Sequence, residues 1–238
     1  MLDLVKQSEF LDPRLTRGYG GRFYGVYTAM VADIKDPAGQ GRVKVRLPWT
    51  PDNKEGVYEV WARLATMMAG GDRGSWFIPD VDDEVLVCFE AGDTRRPYVI
   101  GSLWNGQDNP PEEMDGAGEN NLKTIRSRNG IVITMDDSDG QEKLTLETPA
   151  GQHVVIDDSA RSVEIKDGSS ESVKLEPSGI TINTSANVTV NGSMVQISAA
   201  MVSVDTPMAV FSGVVQAQTV ISSSIIGASY TPGAGNIW

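Results

Sequence analysis

Apolar and polar residues alternate with a period of two through most of this chain. In the first half, five apolar, β-branched or aromatic segments are separated by glycine, proline and aspartate, at residues 23–33, 41–47, 58–64, 84–90 and 97–101. In the second of these, Val43, Val45 and Leu47 fall on one side and basic residues on the other, as in a half-buried strand. Five strands within about 80 residues predict a closed, five-stranded OB-type barrel.

Beyond residue 130 a smaller unit recurs, in which two aliphatic residues spaced i, i+2 precede a polar turn. The pairs are Ile131/Ile133, Leu144/Leu146, Val154/Ile156, Val163/Ile165, Val173/Leu175, Ile180/Ile182, Val188/Val190, Val195/Ile197 and Val202/Val204. The early steps are 13, 10, 9 and 10 residues, and the later ones are 7, 8, 7 and 7. Near-constant spacing of such pairs indicates short stacked strands, as in a β-solenoid or a fibrous prism.

Each later repeat is too short for one chain to wind around an interior of its own. No aromatic residue occurs from 105 to 210, so the interior must be narrow. Three chains around one axis meet both conditions, with the strand edges of each chain covered by its neighbours. We therefore expect an all-β homotrimer in which the barrel is followed by an intertwined triple-stranded β-helix. Its expected interior is formed by Ile180, Ile182, Val188, Val190, Val195, Ile197, Val202 and Val204.

The charge balance limits the partners of the chain. The formal net charge is −12, from 20 Lys+Arg and 32 Asp+Glu, which argues against nucleic acids and anionic membrane surfaces. An OB barrel does invite a nucleic-acid interpretation, but a strand exterior beside core aromatics is the favoured alternative because the same domain is rich in carboxylates. The residues of such a stacking platform are Arg42, Lys44, Arg46, Trp49 and Trp61.

Candidate chemistry is sparse. His153, the one histidine, lies near Asp157 and several serines, but a strand-and-turn repeat lacks the pocket of a catalytic triad. One histidine per chain excludes metal sites that need two imidazoles from one chain, although three copies of His153 around an axis remain an alternative. In the turn 136–140, Met135 occupies the first ligand position of a calcium loop, which favours a tight turn. We expect no catalytic, metal or cofactor site and hence no enzyme.

Charge disappears toward the C-terminus. After Lys174 only Glu176 and Asp205 are charged, so this segment is expected to assemble with copies of itself or to meet a partner. Residues 208–228 are long enough to span a membrane, but serines and glutamines interrupt them and no basic flank follows. No signal peptide is visible at the N-terminus, and the single cysteine excludes an intrachain disulfide.

Several longer stretches of the sequence resemble those of a known protein family. The stretch 70–111, GGDRGSWFIPDVDDEVLVCFEAGDTRRPYVIGSLWNGQDNPP, preceded by GRVKVRLPW at 41–49, resembles the OB domain of contractile-tail spike proteins, the VgrG / phage baseplate assembly protein V group. Residues 126–159 are similar to the start of their trimeric β-helix, and SYTPGAGNIW at 229–238 resembles their blunt tip. One departure is Asp82, where the family usually has glycine, and we expect only a local turn difference.

The resemblance implies the central spike of a contractile injection machine, assembled in the cytoplasm into a phage-like particle and driven through the target envelope by contraction. It implies a separate hub protein, a PAAR-type tip protein with or without an effector cargo, transient contact with the target membrane, and no iron-binding histidine tip. The implied division is an N-terminal arm at 1–20, the barrel at 21–108, a linker at 109–121, the trimeric β-helix at 122–210 and the tip at 211–238. Hub contacts are assigned to Leu2, Leu4, Val5, Phe10 and Leu11, and tip-protein docking to Tyr230, Thr231, Pro232, Asn236, Ile237 and Trp238.

Two other functions stay open at this point. One is a trimeric β-helical tailspike that binds or cleaves cell-surface polysaccharide, with Asp157 or Asp158 as the candidate carboxylates. The other is an OB nucleic-acid binder on a trimeric stalk.

Overall fold

The computed structural model describes residues 22–51 and 57–229, without the side chains of Thr50 and Pro51. It is all-β, as expected, and the only helical element in these ranges is one 3₁₀ turn at Glu90–Gly92. The chain divides into two compact units, Met1–Asn187 and Val188–Trp238. The residues assigned to hub contact and tip docking lie outside the described ranges, and these are Leu2, Leu4, Val5, Phe10, Leu11, Tyr230, Thr231, Pro232, Asn236, Ile237 and Trp238.

A closed barrel forms the first part of the first unit. Its strands follow one another in the order β1-β2-β3-β7-β6, and β3 pairs parallel to β7 while the other pairs are antiparallel. The five predicted strands are confirmed, although the first begins only at Tyr27, and a small hairpin, β4–β5, was not predicted. The bounds are β1 Tyr27–Asp33, β2 Val43–Pro51, β3 Val57–Leu64, β4 Ala69–Gly70, β5 Arg73–Gly74, β6 Glu84–Phe89 and β7 Pro97–Ser102.

Small aliphatic side chains fill the barrel. Val43, Val45 and Leu47 are fully buried, as the alternation along β2 predicts, and valines from the other strands meet them. An aromatic cluster packs against this core, with ring centroids 4.8 Å apart for Tyr27 and Trp49. Every fully buried side chain of the described residues lies in the barrel, so the described residues beyond the barrel have no core of their own within one copy.

A single antiparallel sheet follows the barrel. Its strands are β8 Leu122–Arg126, β9 Val132–Asp136, β10 Lys143–Glu147, β11 His153–Asp157, β12 Ser162–Lys166, β13 Ser172–Glu176 and β14 Gly179–Asn183. Each strand pairs with the next along the chain. The expectation that copies cover the strand edges is therefore wrong for this segment, because each turn returns the chain beside its own preceding strand. On β9 the pair on one face is Ile133 and Met135, since Ile131 precedes the strand.

The turns on one lateral edge of this sheet lie against one another. A Cβ atom on Gly130 would contact the Pro149 ring, and one on Gly168 would collide with the carbonyl oxygen of Ala150. Only glycine fits at Gly168 for this reason. The turns after β8, β10 and β12 thus form a row along the sheet.

The second unit repeats with a period of seven residues. Val188, Val195 and Val202 are 61, 60 and 58% exposed, and Val190, Ile197 and Val204 are 69, 71 and 71% exposed. Equal exposure at equal spacing shows that successive repeats have equivalent surroundings. Residues 188–229 contain no regular strand, and no described helix is long and apolar enough to cross a membrane.

Asp82, which stands where the family usually has glycine, has a left-handed backbone conformation whose energetic cost can be measured. Asp82 has a φ of 74° and donates its N–H to the Val31 carbonyl at 2.9 Å. A non-glycine residue in this left-handed region costs about 1 kcal/mol. We predict that Asp82→Gly raises the free energy of unfolding of the barrel by up to about 1 kcal/mol, since the greater freedom of glycine in the unfolded chain offsets part of the gain.

Asp82→Ala is the matched control, because it removes the same carboxylate but keeps the Cβ atom. Denaturant unfolding of the two variants separates the effects. Equal stability of both variants would show that the backbone at this position is unstrained.

Candidate functional site: the apolar face of the second sheet

The strand register gathers the apolar pairs on one face of the second sheet. Residues directly opposite each other in an antiparallel pair share a face, and Leu146 lies opposite Val154, which lies opposite Ile165. All positions of this face except Lys123 are aliphatic or methionine. They are Lys123, Ile125, Ile133, Met135, Leu144, Leu146, Val154, Ile156, Val163, Ile165, Val173, Leu175, Ile180 and Ile182. We call this set the apolar face.

The other described residues leave the apolar face exposed. On β12, Ile165 is 51% exposed, whereas its charged neighbours Glu164 and Lys166 are partly covered. This exposure pattern is the reverse of that of a solvated sheet, in which the apolar side packs on a second layer. The face therefore needs a partner.

The opposite face carries the polar residues. Its central row runs through Thr134, Thr145 and Val155 to Glu164 and Lys174. An ion pair joins Lys143 Nζ to Asp157 Oδ2 at 3.3 Å. This face has the composition of a surface that stays in water.

Lys123 is the one charged residue whose register places it on the apolar face, opposite Met135. Its Nζ donates to Asp137 Oδ2 at 2.6 Å and to the carbonyl oxygen of Asn120 at 2.7 Å. The charge is thus paired at a turn beside the sheet, and the stem of the side chain covers apolar surface.

Aspartates close several turns of the sheet. The backbone N–H of Ala160 and the Ser159 hydroxyl lower the pKa of Asp157 below its ordinary value of 3.8. The Ser138 hydroxyl and N–H likewise lower the pKa of Asp136. Because their pKa values are depressed in the folded chain, these carboxylates stabilise the turns above the unfolded-state pKa, and the contribution is lost as the pH falls through the folded value. The tight turn expected at 136–140 is confirmed.

The residues expected in the trimer interior lie in two places. Ile180 and Ile182 lie on the apolar face, at its last strand. Val188, Val190, Val195, Ile197, Val202 and Val204 are all exposed in the second unit. One copy of the chain therefore leaves all of them accessible.

The candidate catalytic and metal-binding residues do not converge. His153 and Asp157 are the two ends of β11, about 13 Å apart along an extended strand. His153 lies between Glu147 and Lys166 on the polar face. Within the described ranges no three histidine, cysteine or acidic side chains lie close enough to hold a metal ion.

The residues suggested for a stacking platform make contacts within the barrel itself. Trp49 donates its indole N–H to the Thr28 carbonyl at 2.8 Å and packs in the aromatic cluster. Trp61 lies beneath Arg42 and Lys44. The cations pair with carboxylates of the same barrel, Arg42 with Asp36, Lys44 with Asp33 and Arg46 with Glu59. Such pairing lowers the positive charge available to a phosphate backbone.

These features together define a class of protein: a chain that pairs the strands of its second sheet within itself but leaves one apolar face of that sheet exposed. Comparison with known families agrees. Residues 27–104 match the type VI secretion system/phage-baseplate injector OB domain. Residues 121–186 and 143–208 match the phage baseplate V C-terminal trimerisation domain. The chain belongs to the VgrG / phage baseplate V family of spike proteins.

Curated relatives point to the same family. The type VI secretion system spike protein VgrG1a of Pseudomonas aeruginosa is 31% identical over 127 residues, which is 50% of this chain and 20% of the relative. The type VI secretion system spike protein VgrG3 of Vibrio cholerae is 28% identical over 137 residues, 53% of this chain and 12% of the relative. The actin cross-linking toxin VgrG1 of Vibrio cholerae is 27% identical over 134 residues, 53% of this chain and 12% of the relative. The chain thus spans a fifth or less of the length of these relatives.

Two features of the structure were not predicted from the sequence. Strand β8 has only one aliphatic residue on the apolar face, Ile125, because its other position is Lys123. The exposed loop between β3 and β6 was also missed, since its Met67, Met68, Trp76 and Phe77 follow no period of two.

Adjacent valines on β11 allow a direct test of the apolar face. Val154 lies on it and Val155 lies on the polar face. We predict that Val154→Asp prevents assembly, because the carboxylates would be buried without partners at a cost of several kcal/mol. Val155→Asp should assemble normally.

The mass of each variant in solution, measured by light scattering, decides between the two faces. The same mass for both variants would show that the apolar face is not the assembly surface.

Proposed function

We propose that this chain is the structural, non-enzymatic central spike of a contractile injection machine of the phage-tail or type VI kind. The observation that carries the proposal is the apolar face, which runs without interruption from β9 to β14 and is left exposed by the other described residues of the chain. Three copies that turn these faces toward a common axis would bury them together. The trimerisation domain matched by residues 121–208 supports this arrangement.

The architecture of the spike has two parts beyond the barrel. From 122 to 183 each copy contributes one self-paired sheet. From 188 to 229 the seven-residue repeats contain no regular strand within one chain, so we propose that the three chains intertwine there. The interior of the intertwined part is assigned to Val188, Val190, Val195, Ile197, Val202 and Val204.

The mechanical role follows from this packing. Contraction of a sheath would push the barrel end, and the prism would carry the force to the target envelope. Close-packed aliphatic layers resist compression, and strand pairing lets each layer support the next. Contact with the target membrane is transient in this scheme, and assembly takes place in the cytoplasm before firing.

Further proteins complete the proposed machine. We assign residues 1–20 to contact with a separate hub protein, 21–108 to the barrel, 109–121 to the linker, 122–210 to the trimeric β-helix and 211–238 to the blunt tip. The tip would carry a PAAR-repeat protein, with or without an effector cargo. The absence of charge from 206 to 238 supports a docking role for this segment.

The proposed trimer interior, in both the sheet and the intertwined part, can be tested by introducing charge. Wild-type protein should have a mass of about 77 kDa, three times the 25.6 kDa of one chain, and should resist dissociation by SDS. We predict that Val190→Asp and Ile182→Asp lose this resistance, because three carboxylates would be buried together near the axis.

Thr189→Asp and Thr181→Asp are the neighbouring controls and should keep the resistant trimer. A wild-type protein of 25.6 kDa in solution would contradict the proposed spike.

Tip docking needs a separate measurement. We predict that Trp238→Asp leaves the trimer intact but abolishes its co-elution with a PAAR-repeat protein, because a charge would enter an uncharged contact. Ser229→Asp is the control outside the assigned docking residues. Retention of the PAAR-repeat protein by the Trp238→Asp trimer would show that the tip binds it elsewhere or not at all.

A further inference from the structure

A cluster of large apolar side chains projects from the barrel into water. Met67 is 91% exposed, Met68 55%, Trp76 75% and Phe77 66%. They lie on the loop between β3 and β6, and we call them the loop patch. Exposed clusters of methionine and aromatic residues are typical of protein–protein contact surfaces.

The loop that carries the patch is held in one conformation. Ser75 donates its N–H to the Met68 carbonyl at 2.9 Å, and the Thr66 hydroxyl donates to the Ser75 carbonyl at 2.9 Å. Gly74 has a φ of 152°, and a Cβ atom there would lie 2.6 Å from the Met68 oxygen. The ring of Trp76 lies over Gly41, which has no side chain to displace it. A partner would therefore meet a preformed surface, with little conformational entropy left to lose.

An ion pair places the loop patch beside the second sheet. Ile78, next to Phe77, packs against the barrel core. Two residues further on, Asp80 Oδ1 accepts a hydrogen bond from Arg128 Nη1 at 2.7 Å. Arg128 belongs to the turn after β8, the first in the row of turns along one lateral edge of the sheet. In a closed trimer this edge is where the sheet of the next copy begins.

We propose that the loop patch binds a neighbouring copy of this chain and extends the trimer contact from the sheet to the barrel. The proposal rests on the trimeric state proposed above. A second copy fits better than the hub, because the Asp80–Arg128 pair holds the loop at the sheet side of the barrel. The patch thus continues an interface that the apolar face has already begun.

The rate of methionine oxidation measures directly how far the trimer shields the loop patch from solvent. The full-length wild-type trimer and the Val154→Asp chain are treated with dilute hydrogen peroxide, and each methionine is followed by mass spectrometry. Met67 and Met68 should be oxidised at least about fivefold more slowly in the trimer, since oxidation follows exposure. Equal rates in a confirmed trimer would overturn this proposal alone, whereas a monomeric wild-type chain would overturn the spike as well.

A pair of substitutions tests the energetic contribution. Met67→Glu should increase the rate at which the trimer dissociates in denaturant by about tenfold. Met114→Glu is the matched control, because Met114 is also exposed but lies in the linker outside the patch. Dissociation of both variants at the same rate would overturn the proposal.

Discussion

A sheet that satisfies its own backbone but leaves one face without cover is the constraint on which the rest of this molecule depends. The strands from β8 to β14 pair within the chain, so no hydrogen-bonding edge between them is open. The side chains of this sheet, by contrast, are not fully buried, because all fully buried residues of the described ranges lie in the barrel. In this sheet backbone pairing is thus an intrachain event, whereas burial of the apolar face would be an interchain one. In the proposed trimer, assembly is then part of folding rather than a later step.

The end of the self-paired sheet marks a change in how the chain finds hydrogen-bond partners. The nine-residue step from Val154 to Val163 holds a five-residue strand and a turn that reverses it, and the seven-residue step from Val173 to Ile180 still does so with the shorter turn between β13 and β14. From 188 to 229, however, no regular strand forms within one chain. Backbone groups cannot be left without partners when buried, so in the proposed spike these later repeats would pair with other chains. The boundary lies close to Glu171 and Ser185, whose hydrogen bonds fix the end of the self-paired sheet.

Much of this arrangement could be predicted from the sequence, and the failures have physical causes. The period of two fixed the side on which Val43 and Val154 point, because it is a property of the strand itself. It could not decide which chain supplies the neighbouring strand, since a copy and the same chain offer identical backbones. The first strand of the apolar face, β8, was not predicted because the charge of Lys123 interrupts the alternation of apolar residues. The roles of Trp49 and Trp61 depend on which residues the closed barrel brings beside them, and this information is absent from local spacing.

The shared interior has a genetic consequence. Because every layer of the apolar face would be completed by three chains, one altered chain would be enough to weaken an assembly. When a defective allele and an intact one are expressed equally, chance association leaves roughly one assembly in eight free of altered chains. Substitutions on the apolar face that still allow a chain to join an assembly would therefore behave as dominant.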